Sequence, residues 1–394
     1  MMRRHTLALA AALACALPAL AQNYPQPTPA MQAIIDKDTS RYFGDAPTDA
    51  GPYATDVSSA LEPAAIDHAL RKVADWQLAR ARPHFDRIWT SAVMYSGFMA
   101  ASAATGDPKY RDAMAEMAQH FDFQLRSRLP NADDQAIGQT YLELYFQQKR
   151  PSLLGPTRAE LDDLLPLATL KPNDARIPWW WCDALFMAPA TWMGLSRATG
   201  DAKYADFAKH ELWATTAYLY DPAEHLFYRD SRFFQRRGPN GEKVFWSRGN
   251  GWVFAGLTRM LDALPANDPD RPRIVALYKE MAVRIAAIQL PDGYWAPSLL
   301  ADPKTALPET SGTAFYVYGL AWGIRNGTLP RAQYAPAVRN GWAALVKAVH
   351  PDGKLGYVQP VSDRPDNVGY DDTQFYGVGA FLLAGTAVAD LKLQ

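Results

Sequence analysis

Between residues 63 and 391 the chain alternates two kinds of helical periodicity, and this alternation restricts its possible folds more than any other feature. Segments of the first kind carry an apolar stripe among charges, as in Arg71-Lys-Val-Ala-Asp-Trp-Gln77, the pattern of a helix with one face in water. Segments of the second kind are apolar nearly all round, as in Ser311-Gly-Thr-Ala-Phe-Tyr-Val-Tyr-Gly-Leu-Ala-Trp322, the pattern of a helix enclosed by neighbours. In chain order the pairs are Pro63–Arg80 with Trp89–Ala104 and Lys109–Arg126 with Asp134–Lys149. Thr157–Ala168 with Cys182–Ala198 and Ala202–Leu219 with Gly249–Leu264 follow. Pro269–Gln289 with Ser311–Arg325 and Arg331–Val349 with Asp371–Leu391 complete six. Six outer and six inner helices predict an all-α chain folded as a closed (α/α)6 toroid, one domain over residues 63–394.

Internal repeats agree. Ala104-Thr-Gly-Asp-Pro-Lys-Tyr110 returns 94 residues later as Ala198-Thr-Gly-Asp-Ala-Lys-Tyr204, and Pro291-Asp-Gly-Tyr-Trp295 returns 60 residues later as Pro351-Asp-Gly-Lys-Leu355. Repeats of this length mark stacked helical hairpins. Gly106 and Gly200 fit the residue just past an inner helix, and Asp107 and Asp201 fit the cap of the next outer helix. These repeats describe architecture, not chemistry.

Ahead of the domain, Arg3 and Arg4, the apolar run Leu7–Leu17 and Ala19-Leu20-Ala21 read as a cleavable signal peptide over residues 1–21, too short to span a bilayer. Cys15 lies inside that apolar core in a poor lipidation context. Residues 22–62 are Pro-, Ala- and Asp-rich and read as an extended arm. The mature protein is therefore expected in the periplasm or secreted, with Cys182 its single cysteine and no intrachain disulfide. A formal net charge of −1 gives no footprint for nucleic acid or an anionic membrane, and a monomer or weak homo-oligomer is expected. The 12 Trp and 19 Tyr suit core packing and carbohydrate platforms alike.

If the toroid forms, the starts of the inner helices converge on one mouth. They read Asp86-Arg-Ile-Trp89, Asp133-Asp134, Trp181-Cys-Asp183, Ser247-Arg-Gly-Asn250, Glu309-Thr-Ser311 and Tyr370-Asp-Asp372. A single carboxylate at a helix start is usually a cap; carboxylates at most of six converging starts point to chemistry. Asp183 follows Pro178-Trp-Trp-Trp181. The aromatic surface disfavours its ionised form and the helix start favours it, the balance needed in a general acid/base. Of Asp133 and Asp134, one is expected to cap and the other to face the mouth; Gly138-Gln139 lets a polar side chain approach closely. In Ser247-Arg-Gly-Asn-Gly-Trp252 two glycines beside Asn250 oppose helix formation, so another requirement must hold them. Arg248 offers a fork for a carboxylate and Trp252 a stacking face. Phe227-Tyr-Arg-Asp-Ser-Arg-Phe-Phe234 reads as a basic, aromatic loop over the mouth. No HxH, HExxH or CxxC spacing, phosphate loop or G-x-S-x-G elbow occurs, so no metal, no cofactor and no serine nucleophile are expected.

Trp181-Cys-Asp-Ala-Leu-Phe-Met-Ala-Pro189, Phe245-Trp-Ser-Arg-Gly-Asn-Gly-Trp252 and Glu309-Thr-Ser-Gly-Thr313 together resemble the unsaturated rhamnogalacturonyl hydrolases of glycoside hydrolase family 105, related to the unsaturated glucuronyl hydrolases of family 88. The likeness runs from about Pro63 to the C-terminus and implies the same (α/α)6 fold. It implies a glycosidase that removes a 4,5-unsaturated uronic acid from the non-reducing end of lyase-derived oligosaccharides. Asp183 matches the family's acid/base, which protonates C4 of the enol ether so that water adds at C5, and Asp134 its second aspartate. The family's stacking and binding pair matches Arg248 and Trp252, and at the same mouth Trp89, Gln139, Trp181, Arg229, Asn250 and Thr310 are expected to contact substrate. Many members have a histidine where this chain has Arg229, which bears on sugar preference; Arg229 either meets an anionic sugar group or pairs with Asp230 or Glu224.

Two rival readings stay open on the residues alone. One is another (α/α)6 activity, an inverting glycosidase using Asp134 and Asp183 or a lyase using Tyr370 and Arg248; the other is a glycan-binding protein without catalysis.

Overall fold

The computed structural model describes residues 52–126, 131–166 and 178–392. Its helices are α1 (Pro63–Ala81), α2 (Trp89–Thr105), α3 (Pro108–His120), α4 (Gly138–Gln148), α5 (Gly155–Leu164), α6 (Ala184–Met187) and α7 (Pro189–Thr199). The chain continues with α8 (Ala202–Leu219), α9 (Ser247–Ala263), α10 (Arg271–Ala287), α11 (Thr310–Arg325), α12 (Arg331–Lys347) and α13 (Phe375–Leu391). Between α8 and α9 a short antiparallel hairpin pairs β1 (Tyr220–Asp221) with β2 (Leu226–Phe227).

The apolar segments form a closed inner ring. α2 packs on α4, α4 on α7, α6 and α7 on α9, α9 on α11, α11 on α13, and α13 back on α2. The last contact seals the toroid at two glycines: a Cβ on Gly97 of α2 would lie 2.6 Å from Gly379 Cα, so any side chain there would force the ring open. The striped helices pack outside: α3 lies chiefly on α2, α8 on α7, α10 on α9 and α12 on α11, the inner helix before each, while α1 lies on α13 and α2. The (α/α)6 fold expected from the periodicity is the fold observed.

The repeats carry the same turn and cap. Gly106 and Gly200 are left-handed (φ 68° and 76°), and Asp107 and Asp201 accept from Lys109 N (3.0 Å) and Lys203 N (3.1 Å) to cap α3 and α8. The repeated tyrosine reaches further: Tyr110 donates to Asp75 (2.6 Å) and Tyr204 to Asp162 (2.8 Å), each tying an outer helix to the outer helix before it.

Several boundaries differ from expectation. The second outer helix ends at His120 rather than Arg126, because Asp122 and Phe123 take left-handed backbone (φ 51° and 57°). The second inner helix begins at Gly138; Asp134 lies before it in a 3-10 turn, Ala132–Gln135. The third inner segment, expected as one helix over 182–198, is broken into α6 and α7 at Ala188, since Pro189 has no N–H to continue the ladder. The sixth begins at Phe375 instead of Asp371. The expected end of the third outer helix at Ala168 lies outside the described residues, as do the signal peptide and most of the arm. The described part of the arm runs against the last hairpin, where Ala54 N donates to Val349 O (3.0 Å) and the Tyr53 ring meets Tyr370 edge-on at 4.6 Å. No described helix is long and apolar enough to cross a membrane.

Candidate active site

The outer helices end and the inner helices begin at one face of the ring, which brings the six expected starts to a common mouth. What separates them is how each carboxylate is used. Glu309 is spent as a cap: it is fully buried and accepts from Ser311 N and Gly312 N, both at 2.7 Å, and from the Ser311 hydroxyl. Asp86 accepts from Ile88 N (3.0 Å), and Asp372 from Gly369 N (2.7 Å). Asp183 stands at the N-cap of α6, yet its side chain caps nothing.

Asp183 is 8 % exposed and directly follows the three tryptophans in the chain. Burial pushes its carboxyl above the ordinary value of 3.8, while the nearby guanidinium groups of Arg229 and Arg248 pull it back down. Arg229 Nε stands 3.6 Å from Asp183 Oδ2, and Cys182 Sγ donates to the same oxygen at 3.5 Å. The backbone is pinned by Cys182 N donating to Arg229 O (2.9 Å), which joins the start of α6 to the loop before α9. A largely desolvated carboxyl with a raised pKa and flanking cations can hold a proton and release it to a substrate.

Asp134 is buried, 4.0 Å from Arg126 Nη1, in a turn that packs on α6. That turn is capped by Asn131, which accepts from Asp133 N at 2.9 Å. Trp181 is buried with its ring 4.7 Å from Trp180, and Trp180 is partly exposed with the Arg229 guanidinium over its ring, 5.5 Å away. Trp89 is partly exposed and stacks on Tyr376 at 5.1 Å and 20°.

Five residues expected to touch substrate have protein partners instead. The Arg248 fork donates to Gln359 O (2.9 Å) and Pro360 O (3.0 Å), sandwiched between the Trp246 and Tyr376 rings. It therefore serves the mouth as a fixed charge between Asp183 and Glu309. Trp252 is 0 % exposed and locked among Phe186, Phe315 and Trp89, so it is wall and not stacking surface. Asn250 spends its amide on the Phe227 backbone, accepting from N (2.7 Å) and donating to O (2.9 Å), and so pins the loop over the mouth. Gln139 Nε2 caps the Phe186 and Met187 carbonyls (2.9 and 3.2 Å) where α6 breaks. Thr310 Oγ1 donates to Gly356 O (2.8 Å), tying α11 to the last loop. Gly249 and Gly251 sit in tight packing: added Cβ atoms would lie 3.1 Å from Cys182 Sγ and from Phe315 Cβ, closer than an ordinary contact.

Arg229 pairs with Asp230 (Nη1 to Oδ2, 2.8 Å), one of the two partners weighed for it; Glu224, the other, is taken by Arg284 at 2.6 Å. Sequence reasoning missed Trp180, the partly exposed member of the triple tryptophan, on which the Arg229 guanidinium lies. It also missed Gln359 and Asp363, which come from the last loop and carry no motif. Among the described residues no group of three or more His, Cys, Asp or Glu side chains could hold a metal ion.

Residues 62–392 match the family model Glycosyl Hydrolase Family 88. The chain is similar to the unsaturated 3S-rhamnoglycuronyl hydrolase of Alteromonas sp. (strain LOR), 36 % identical over 366 residues covering 84 % of this chain and 89 % of the relative. It is 39 % identical over 345 residues to the protein of that name from Formosa agariphila, covering 83 % and 91 %. Among solved structures it resembles a glycosyl hydrolase family 88 protein from Bacteroides vulgatus (30 % identity, TM-score 0.77, covering 83 % and 99 %). A structure described as a polysaccharide lyase is as similar (32 % identity, TM-score 0.77, covering 83 % and 97 %).

Proposed function

The chain belongs to glycosyl hydrolase family 88 and is a glycoside hydrolase, and from that premise we propose that it removes a 4,5-unsaturated uronic acid from the non-reducing end of lyase-derived oligosaccharides, with Asp183 as the acid. The observation that carries the reading is the state of Asp183: buried, raised in pKa, and at a helix start that its side chain does not cap. Proton transfer from Asp183 to C4 of the enol ether turns the double bond into a cation that the ring oxygen stabilises at C5. Water adds at C5 and loses its proton to the carboxylate, and the hemiketal opens and expels the remaining sugar. Asp134 is the second carboxylate and helps to orient substrate. Trp180, Trp181 and Trp89 supply the aromatic wall and Arg229 the cation nearest the uronate.

The names of the two curated relatives join an unsaturated glycuronyl group to rhamnose, which favours a rhamnose-linked uronic acid in a rhamnogalacturonan or a similar polymer. The protein is exported after cleavage behind Ala21, and acts in the periplasm or outside the cell as a monomer or weak homo-oligomer.

The similarity to a structure described as a lyase favours a second reading, β-elimination with Tyr370 as base. The geometry speaks against it. Burial raises the Tyr370 phenol, its ring lies flat on His350 at 3.7 Å, and its hydroxyl donates to Pro52 O at 3.3 Å. Arg248, the carboxylate-neutralising partner that reading needs, has its fork on backbone carbonyls. Absorbance of the conjugated enol acid separates the readings. The protein is expected to bleach it on lyase-generated oligosaccharides; a rise on intact polymer, with no bleaching, would replace hydration by elimination.

A further inference from the structure

Arg229 is the cation closest to the acid, and it is held back from it. Its Nε is buried without a hydrogen-bond partner, 3.6 Å from Asp183 Oδ2. A charge-assisted N–H···O contact normally closes to about 2.7–2.9 Å, so a movement of under 1 Å would complete one here. The opposing pull comes from Asp230, itself 1 % exposed, which accepts from Arg229 Nη1 (2.8 Å). Asp230 is in turn fixed by Arg232, through Nε (2.9 Å), Nη2 (2.8 Å) and the backbone N (2.9 Å). Arg232 Nη2 also lies 2.8 Å from Asp363 Oδ2, so the loop after α12 braces the loop before α9 across the mouth.

We propose that Asp230, braced by Arg232 and Asp363, restrains Arg229 so that its guanidinium flanks Asp183 without closing a direct hydrogen bond to it. The inference rests on the reading of Asp183 as the acid and makes Asp230 a positioning residue. The physical need is specific. A fully paired arginine would keep Asp183 ionised across the working range and leave no proton for C4, whereas removing the arginine would leave a buried carboxyl without compensation. The charged and titratable groups around Asp183 are Cys182 on its own turn, Arg229 and Asp230 on the loop, Arg248 on α9 with Glu309 of α11 behind it, and Asp134 in the turn packed on α6.

The test is the titration of the Asp183 carboxyl, read by carbon NMR in protein labelled at aspartate and assigned with Asp183→Asn. Asp230→Asn is expected to lower the midpoint by about one pH unit or more, both because Arg229 closes and because an anion is lost. Arg229→Gln is expected to raise it. In the Arg229→Gln background Asp230→Asn should shift it far less, because only the loss of the anion remains. An equal shift in both backgrounds, or none in either, would overturn the restraint. If Asp230→Asn does not fold, Asp363→Asn replaces it, with a smaller shift of the same sign. The alkaline limb of the rate on an unsaturated disaccharide should follow the same order. A wild-type protein inactive on every unsaturated oligosaccharide would remove the functional reading, while the titration still decides the restraint.

Discussion

Gln139 on α4 caps the end of α6, its Nε2 reaching Phe186 O at 2.9 Å and Met187 O at 3.2 Å. The break before Pro189 leaves carbonyls that the helix ladder cannot satisfy, and α6 is only four residues long, beginning directly after Asp183. The position of the acid therefore depends on a side chain from the neighbouring unit. Gln139→Leu should cost about 1–3 kcal/mol, the range for leaving buried polar groups unpaired. It should also lower kcat more than it changes KM. Thermal unfolding and steady-state kinetics check both; an unchanged kcat would show that α6 holds its place without the cap.

Asp183→Asn should keep the fold and lose about three or more orders of magnitude in rate. A variant retaining more than about a tenth of the wild-type rate would exclude Asp183 as proton donor. Because the acid form is the active one, the rate should fall as pH rises through the raised pKa. The sign for stability follows from the same shift. A folded pKa above the unfolded one means the native state binds the proton more tightly, so this stability is present below about pH 3.9 and is lost as pH rises through the folded pKa. The neutral amide escapes that loss, and Asp183→Asn should melt higher than wild type at neutral pH but not in acid.

Trp252 is fully enclosed, so its replacement should act on the fold first. Trp252→Ala should cost about 3–5 kcal/mol, as for other large-to-small core changes, and Trp252→Phe less. Denaturation midpoints measure this. A Trp252→Phe protein of unchanged stability but sharply raised KM would return the residue to the substrate surface.

Asp107 and Asp201 make the same cap 94 residues apart. Asp107→Ala and Asp201→Ala should each cost about 1 kcal/mol and, sharing no partners, sum in the double variant to within about 0.5 kcal/mol. Urea unfolding tests the sum, and neither change should alter the pH dependence of the rate.

The ring is legible along the chain. Outer and inner helices differ in how much of their circumference is apolar, caps and turns are local, and Gly106-Asp107 and Gly200-Asp201 recur with the spacing of the hairpins. Asp183 too is legible there, at the start of an inner helix. Tertiary structure decided which polar groups at those starts remain available. The partners of the Arg248 fork are more than a hundred residues away, at Gln359 and Pro360, and Asn250 answers to a backbone it does not adjoin, at Phe227. The burial of Trp252 depends on Phe186 and Phe315 meeting it from two other units. Hydrophobic periodicity is a property of consecutive residues and can be read along the chain. The use of a hydrogen-bonding group depends on what faces it once the ring has closed, and nothing in the spacing of Arg248, Asn250 and Trp252 encodes that.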